Sequence, residues 1–280
     1  MSNQAFLTLP ETLAEAAPGD TVELDGPEGR HAVAVKRIRV GEAVDLLDGD
    51  GRRAVCVVTE TDKASLRARI ERIDVEPAPR VLAVLVQALA KGDRDLQAVE
   101  SAVELGIDRV IPWQAERCVV RWGADKAERG RAKWEATVRA AVKQSRRART
   151  PRVESVAGTP QLAELASPAT DDAGLAARRL VVVLHEEAAS PLAEVVGDWL
   201  DAGAADPGGA AGEVFLVVGP EGGIAPAEIE ALRAAGAATA SLGSNVLRAS
   251  TAGPAALVLV RHLVGQLDPR RGPAAESANR

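Results

Sequence analysis

Val-Phe-Leu-Val-Val-Gly-Pro-Glu-Gly-Gly, residues 214–223, is the stretch of the chain that decides its fold. An apolar run rich in β-branched residues ends there in a glycine and proline cluster, which is typical of a buried strand followed by a tight turn. A helix is expected from Pro226, because proline suits the first turn of a helix and acidic residues follow it. A short strand over 237–242 and a helix of small residues from Ala249 complete the region.

Glycine-rich loops follow two of these strands, at Gly219–Gly223 and Gly243–Arg248. In open α/β sheets the loops at the carboxyl ends of the strands form the ligand site, and bare glycine backbone leaves room for a ligand. Neither loop has the spacing of a dinucleotide or nucleoside triphosphate motif, so those ligands are disfavoured. The alternative is a pair of tight turns without a ligand. Glu221 and Arg248, one in each loop, favour a site.

A third loop, His185-Glu186-Glu187, follows another apolar strand at Arg179–Leu184 and is expected at the same edge of the sheet. His185 is a candidate general base there. A histidine at the end of a strand is, however, more often a hydrogen-bonded structural residue.

The composition describes a globular protein of one large or two modest domains, with 280 residues of which 46% are hydrophobic. Cys56 and Cys118 are far apart and match no metal spacing, which predicts a reducing cytoplasm and no metal site. We expect no signal peptide, because no basic region followed by an apolar one is found at the N-terminus, and no apolar run approaches membrane length. We therefore expect a soluble cytoplasmic protein with no membrane partner.

Basic residues are concentrated between Lys126 and Arg152, where ten of them accompany two acids in a chain whose net charge is −6. A basic stripe in an acidic chain is typical of a partner with a phosphate backbone. The alternative is an amphipathic helix with a solvated cationic face. The sequence leaves both interpretations open.

Two domains are predicted, with a boundary at the stiff segment Glu76-Pro-Ala-Pro-Arg80. Residues 1–75 have the short segments and turn signals of a small β-barrel, and residues 80–267 alternate strands and helices, as in a parallel sheet. The tail 268–280 is expected to be disordered. The segments expected in the first domain are Thr21–Leu24, His31–Ile38, Ala43–Leu47, Arg53–Thr59 and Ser65–Val75, several of them strand-like. In the second domain they include a strand at Val81–Ala88, a helix at Asp93–Leu105 with Asp93 as N-cap, a strand at Arg109–Pro112, a basic helix around Lys133–Ala148, and helices at Pro160–Ala166 and Pro191–Leu200.

An ordered set of motifs spans most of the chain, from about residue 5 to 265. Its members are His31 to Gly51, Lys91-Gly-Asp-Arg94, Glu104-Leu-Gly-Ile-Asp108, Glu116-Arg-Cys-Val-Val-Arg121, Gln144-Ser-Arg146, Leu184-His-Glu186, Gly219-Pro-Glu-Gly-Gly223 and Leu242-Gly-x-x-Val-Leu-Arg248 with Thr251-Ala252. Together they resemble the family of ribosomal RNA small subunit methyltransferase E, within the SPOUT superfamily.

The resemblance implies an α/β fold in which a knotted, parallel-sheet SPOUT methyltransferase domain follows a PUA-like β-barrel. It also implies a homodimer that uses S-adenosyl-L-methionine to methylate N3 of a uridine in the 16S rRNA of the small ribosomal subunit, without a metal. The cofactor-binding residues that it implies are Leu184, His185, Glu186, Gly219, Pro220, Glu221, Gly222, Gly223, Leu242, Gly243, Val246 and Leu247. The RNA-binding candidates are Lys36, Arg37, Arg39, Arg94, Arg117, Arg121, Lys143, Arg146, Arg147 and Arg149, although arginines such as Arg94, Arg117 and Arg121 also form surface salt bridges.

Two residues are candidates for the chemistry. Uracil N3 must lose a proton, so a base or a cation that stabilises the uracil anion is needed. Arg248 is expected to be that cation, and Glu221 is the candidate base unless it only orders its loop. Ser250 stands where many members have Glu, so an acidic role cannot be transferred to it. Two alternatives stay open: a SPOUT ribose 2′-O-methyltransferase, and a non-catalytic RNA-binding assembly factor.

Overall fold

The chain folds into two units. The structure, a computed structural model, describes residues 3–168, 178–203 and 212–267. One unit comprises the chain up to Ala78 together with Arg139–Thr150, and the other comprises Pro79–Val138 and the chain from Pro151 onward. The tail at 268–280 and the inner parts of the loops expected at 167–178 and 202–212 lie outside the described residues.

A five-stranded sheet forms the first unit. Its strands are β1 (Gln4–Leu7), β2 (Thr21–Leu24), β3 (Ala43–Leu47), β4 (Arg52–Thr61) and β5 (Leu66–Val75). They lie in the order β1-β3-β4-β5-β2, with β1 and β3 parallel and the other neighbours antiparallel. Phe6, Leu46 and Ile70 are buried in its core. The pairing of β4 with β5 shifts at two bulges, after Val55 and after Val58, and bulges bend a strand.

Short helical pieces of this unit differ from the sequence prediction. They are α1 (Pro10–Ala14), α2 (Gly26–Arg30) and a π-helical turn at His31–Val35. The Asp-Gly pair at 25–26 predicts a turn, yet Asp25 is the N-cap of α2. The stretch His31–Ile38 contains no strand: the Lys36 amide donates to the His31 carbonyl oxygen over 2.9 Å. Arg37 follows in a left-handed conformation with φ of +56°.

A six-stranded parallel sheet forms the second unit. Its strands are β6 (Val81–Ala88), β7 (Arg109–Trp113), β8 (Arg152–Val153), β9 (Arg178–Leu184), β10 (Gly212–Val218) and β11 (Ala238–Ala240). The helices between and after them are α3 (Arg94–Glu104), α4 (Ala124–Ser145), α5 (Thr159–Ala166), α6 (Leu192–Ala202), α7 (Pro226–Ala234) and α8 (Ala249–Leu263). The predicted strand at Val81–Ala88 and the predicted parallel sheet are confirmed.

The strand order β11-β9-β10-β6-β7-β8 places β10 beside β6 at the centre of this sheet. Leu216 of β10 lies opposite Leu85 of β6 and Val182 of β9, and all three are buried. From β6 the chain continues to β7 on one side, whereas from β10 it continues to β11 on the other. A crevice therefore opens between the carboxyl ends of β6 and β10, which is where open α/β sheets bind ligands.

Helix α8 lies unusually close to the sheet. A Cβ atom on Gly253 would be 2.7 Å from Cδ1 of Leu85 and 3.4 Å from Cγ2 of Val218, which are side chains of β6 and β10. Glycine is needed here because real Cβ atoms do not approach a neighbour so closely. The helix of small residues expected from Ala249 is this helix, which begins at that residue.

Helix α3 begins where the sequence predicted, with Asp93 as N-cap, but the Asp93 side chain makes no capping bond. Its carboxylate instead accepts a hydrogen bond from Nζ of Lys133 over 2.7 Å, and Asp93 has φ of +58°. The basic helix expected around Lys133–Ala148 is α4, which ends at Ser145 because Arg146 turns left-handed with φ of +57°.

The residues after the turn at Arg146 pack in the first unit. Nη2 of Arg149 donates to the Glu76 carbonyl oxygen over 2.8 Å and lies where a side chain on Gly51 would be. Nζ of Lys143, in the last turn of α4, pairs with Glu28 over 2.8 Å. Arg53 donates to the Arg146 carbonyl oxygen. Residues 139–150 are therefore held to the rest of the first unit by Lys143, by Arg149 and by Arg53 of β4.

Both cysteines are buried and free. Burial raises the pKa of the Cys56 thiol to about 12, and burial also raises the pKa of Cys118. Among the described residues no cluster of His, Cys, Asp and Glu could hold a metal ion. Within the same residues, no helix is both long enough and apolar enough to span a bilayer.

Substituting Gly253 tests the close approach of α8. Gly253→Val is expected to lower the free energy of unfolding by about 1–3 kcal/mol, because the new methyl groups overlap Leu85 and Val218. Gly197→Val is the matched control, since nothing lies within 4 Å of a Cβ on Gly197 in α6. Urea unfolding of both variants measures the difference, and equal midpoints would contradict the tight contact.

Candidate functional site

A cavity of about 390 Å³ opens at the carboxyl edge of the parallel sheet. Three loops line it, and they follow β9, β10 and β11. Arg94 at the start of α3 and Ala252 in the first turn of α8 complete its wall. The three loops that the sequence predicted at one edge therefore meet around one cavity.

The residues expected to bind a cofactor line this cavity, with one exception. Those in the lining are Leu184, His185, Glu186, Gly219, Pro220, Glu221, Gly223, Leu242, Gly243, Val246 and Leu247. Gly222 is absent from it, and its carbonyl oxygen accepts a hydrogen bond from Nη1 of Arg117 over 3.3 Å. Gly222 thus faces the loop that carries Arg117.

The glycine loop at 219–223 is a tight turn. The Gly223 amide donates to the Pro220 carbonyl oxygen over 2.9 Å, and Gly223 has φ of +73°, a conformation that favours glycine. A Cβ atom on Gly219 would lie 2.6 Å from Cγ1 of Ile224. Glycine at 219 therefore lets Ile224 fold back against the loop and form part of the cavity wall.

Glu221 connects this loop to the one that follows β6. Its Oε1 accepts hydrogen bonds from the Lys91 amide and from Nη1 of Arg94, each over 3.2 Å. The ion pair between Glu221 and Arg94 is partly exposed, so it contributes little to the free energy of folding. Its main effect is to fix the relative position of the two loops. Glu221 holds together the two strand ends that border the crevice.

His185 is held by its backbone and by its ring. Its amide donates to the Ala240 carbonyl oxygen over 2.9 Å. Its Nδ1 atom accepts a hydrogen bond from the Glu187 amide over 3.2 Å, so in the neutral ring the proton is on Nε2. The ring therefore presents a donor rather than a base at its second nitrogen.

Arg248 combines a fixed backbone with an unpaired side chain. It is the N-cap of α8, and its carbonyl oxygen accepts from the amides of Thr251 and Ala252 over 2.8 and 3.0 Å. The guanidinium lines the cavity, is exposed, and has no hydrogen bond or ion pair within residues 3–168, 178–203 and 212–267. It is available to an anionic group in the cavity.

The RNA-binding candidates of the first unit fall into three groups. Lys36, Arg37 and Arg39 are exposed, and their side chains have no partner in the described part of the chain. Lys143 and Arg149, in contrast, make the contacts that hold residues 139–150 to the sheet. The remaining candidates Arg146 and Arg147 lie half-buried in the same segment.

Of the candidate arginines in the second unit, Arg94 lines the cavity and the other two lie on the segment that follows β7. Arg94 is paired with Glu221, and Arg117 contacts Gly222. Nη2 of Arg121 donates to the Glu116 carbonyl oxygen over 2.6 Å. Each of these side chains is exposed, although it is tethered by one contact.

Several lining residues were missed by sequence reasoning. They are Val218, Ile224, Asn245, Ala249 and Ala252. Each lies within two residues of a predicted position, or in the first turn of the predicted helix, so the glycine loops mark the region but do not separate inward from outward side chains. Asn245 is the most polar of them.

The cavity, its loops and the two folded units have counterparts in known proteins. The family described as RNA methyltransferase domain matches residues 77–261, and the family described as RNA methyltransferase PUA domain matches residues 24–71. Ribosomal RNA small subunit methyltransferase E of Mycobacterium bovis is 43% identical over 261 residues, which cover 93% of this chain and 91% of the relative. The chain belongs to the ribosomal RNA small subunit methyltransferase E family.

More distant members agree with this assignment. The Bacillus subtilis ribosomal RNA small subunit methyltransferase E is 29% identical, with 88% of this chain and 91% of the relative covered. The crystal structure of the Neisseria gonorrhoeae enzyme bound to S-adenosyl methionine is 27% identical, covers 94% of this chain and 98% of that one, and has a TM-score of 0.74. The fold class that the resemblance implied, a SPOUT-type α/β domain with a PUA-like domain before it, is confirmed.

Removing Glu221 tests its bond to the Lys91 amide. In Glu221→Ala we expect hydrogen exchange at that amide to accelerate about tenfold, because a charged acceptor worth about 1.5 kcal/mol is lost. Mass spectrometry on a peptide covering residues 89–95 measures it. Glu186→Ala is the control, since Glu186 also lines the cavity but accepts no hydrogen bond from the described residues. Equal exchange in both variants would exclude the connection.

Proposed function

We propose that this protein methylates N3 of a uridine in the 16S rRNA of the small ribosomal subunit. Membership of the family makes it an S-adenosylmethionine-dependent rRNA methyltransferase. The acceptor atom is supported by one observation above the others: an unpaired Arg248 guanidinium at a cavity lined by three loops. Such a cation suits an acceptor that must become an anion before it can attack.

The cavity fits S-adenosyl-L-methionine by size and by lining. About 390 Å³ is within the range of small-molecule sites, roughly 300–1,000 Å³. Leu184, Ile224 and Leu247 offer apolar surface for an adenosine group, and the glycine loops offer backbone groups. Of the two lining carboxylates, Glu221 is paired with Arg94, which leaves Glu186 to face the cationic groups of the ligand. We propose that the predicted set from Leu184 to Leu247 holds the cofactor, which supplies a methyl group on a sulfonium.

The acceptor must be aligned and deprotonated. Methyl transfer is an in-line displacement, so the uracil has to be held with N3 directed at the donor carbon. In our proposal Arg248 donates hydrogen bonds to the uracil and stabilises the negative charge that develops as the N3 proton leaves. Its backbone is fixed by α8, so the side chain does not have to be ordered from a mobile loop.

Glu221 is the candidate for taking the N3 proton, but its surroundings favour a different role. Its Oε1 already accepts two hydrogen bonds, from Lys91 and Arg94. Ordering of the loop therefore uses one carboxylate oxygen and leaves the other. Ser250 cannot accept that proton at neutral pH, because a hydroxyl is too weak a base. We therefore propose that the main role of Glu221 is to order the glycine loop, and that acceptance of the N3 proton is its second role.

RNA binding is proposed for the exposed cations on both units. Lys36, Arg37 and Arg39 on the first unit would contact phosphates, and Arg117 and Arg121 would contact RNA beside the cavity. Lys143 and Arg149 are weaker candidates because intramolecular partners occupy them. Each phosphate contact that is made should steepen the loss of affinity with salt. Filter binding between low and high salt measures this slope, and a flat profile would argue against phosphate contacts.

Domain roles, assembly and location follow from the same proposal. Residues 1–75 would hold RNA and residues 80–267 would carry out the chemistry. Exposed apolar side chains, Val246 in the cavity lining at 78% and Val119 in the segment after β7 at 65%, support a homodimer that covers them. Sedimentation should then give about twice the chain mass of 29.1 kDa. A ribosomal substrate implies work in the cytoplasm.

The decisive experiment combines the purified protein, labelled S-adenosylmethionine and small ribosomal subunits that lack the modification. Nucleoside analysis of the rRNA should place the label in 3-methyluridine. Label in a 2′-O-methylated nucleoside would move the acceptor to the sugar. Cofactor binding without any label in a competent substrate would favour a non-catalytic RNA-binding factor.

Arg248→Ala is expected to lower kcat by about 10²–10³-fold, because one preorganised donor to the developing anion is removed. The Kd for S-adenosylmethionine, measured by calorimetry, should change little. Arg233→Ala is the matched control: it removes an exposed arginine of α7 that does not line the cavity. Near-normal turnover of Arg248→Ala with intact cofactor binding would refute the role of Arg248.

A further inference from the structure

Glu228 is a buried carboxylate to which the proposed chemistry assigns no part. It lies in the first turn of α7 and is only 7% exposed. Its Oε1 accepts hydrogen bonds from the Glu116 amide over 3.0 Å and from Oγ1 of Thr159 over 2.6 Å. Its Oε2 accepts from the Ala225 amide over 3.3 Å. Both oxygens are used, and no lysine or arginine among the described residues pairs with them.

A buried carboxylate without a cation is costly to maintain. A neutral, apolar side chain of the same volume would fill the space in α7 without that cost. Three hydrogen-bond donors from three segments compensate for the lost hydration of Glu228. The positions of the three donors in the fold therefore indicate why the chain has a carboxylate at residue 228.

The donors join two loops, of which the glycine loop lines the cavity. Ala225 directly follows the glycine loop and Ile224. Glu116 begins the segment 116–121, which we call the arginine loop because it carries Arg117 and Arg121. Thr159, at the start of α5, also accepts a hydrogen bond from the Trp113 indole over 3.4 Å, and β7 ends at that tryptophan. Glu228 thus connects the arginine loop to the exit of the glycine loop.

The arginine loop has no helix or strand of its own, so a few contacts set its position. At one end is the Glu228 bond to Glu116. Further along, Nη1 of Arg117 donates to the Gly222 carbonyl oxygen, and Cβ of Arg117 lies 3.4 Å from where a Cβ on Gly222 would be. Arg121 returns to the Glu116 carbonyl oxygen. Displacement of Glu116 would therefore move both arginines.

We propose that Glu228 is a positioning residue for RNA: it fixes the arginine loop against the glycine loop, so that Arg117 and Arg121 meet the nucleotides around the target base. The inference rests on the proposed function, because it assumes that RNA approaches this rim. It assigns Glu228 no contact with the substrate. Its effect should appear in the affinity for RNA and not in the chemical step.

Glu228→Ala and Glu228→Gln test this inference. The alanine variant removes all three bonds, and we expect the KM for small ribosomal subunits to rise about tenfold, as for the loss of a buried acceptor. The glutamine variant keeps one oxygen acceptor, so it should restore part of the loss. The Kd for S-adenosylmethionine, measured by calorimetry, should change less than the KM does in either variant.

Glu230→Gln is the matched control, because it makes the same charge change on the same helix at an exposed position. A role in stability alone would reduce the fraction of active protein, and so the apparent kcat, without changing KM. Should the alanine variant fail to fold, the glutamine variant decides. An unchanged KM in a folded glutamine variant that binds cofactor would overturn the proposal.

A double-mutant cycle with Arg117→Ala tests the route of the effect. If Glu228 acts through the arginine loop, Arg117→Ala should raise KM less in the Glu228→Gln background than in the wild type. Strictly additive effects would overturn the route. Total methyl incorporation is the readout, so the cycle stands even if the label is found in a nucleoside other than 3-methyluridine. If no methyl is incorporated at all, the proposed function fails, and RNA affinity from filter binding replaces KM.

Discussion

The close contact of α8 with the parallel sheet is the constraint on which the site depends. Gly253 lets the helix backbone lie against Leu85 and Val218, on the two strands that border the crevice. Because α8 begins one residue after Arg248, the position of the helix sets the point from which that side chain enters the cavity. A core contact without any polar atom thus determines where the Arg248 guanidinium lies in the cavity wall.

The walls of the cavity are loops, so specific hydrogen bonds have to fix their conformation. Two carboxylates supply them in opposite environments. Glu221 is partly exposed and joins an arginine and an amide across the crevice, whereas Glu228 is buried and accepts only from neutral donors. The first joins the loops after β6 and β10, and the second joins the glycine loop to the segment after β7. Because β6 lies between β10 and β7, these contacts fix the loops on both sides of the central strand.

Much of this architecture could be predicted from the sequence, and the reasons for the exceptions are physical. The strand at Val81–Ala88 was predicted to the residue because a strand buried on both faces is a continuous apolar run. The three loops were expected at one edge because the strands are parallel. The ion pair of Lys143 with Glu28 could not be predicted, because the sequence does not distinguish a lysine that faces solvent from one that pairs with a remote carboxylate. Glu228 showed only the helix-start signal, because its partner Glu116 is remote in sequence.

The path of the chain has a consequence for biosynthesis. All five strands of the first sheet lie within the first 75 residues, whereas the cavity needs β6 near the middle of the chain and α8 near its end. The side chain of Gln266, beyond α8, donates to the Val81 carbonyl oxygen at the start of β6. Since chains fold progressively as they leave the ribosome, the cavity cannot form until the last helix has emerged. In a nascent copy of this protein, the exposed cations Lys36, Arg37 and Arg39 can therefore leave the ribosome well before the cavity exists.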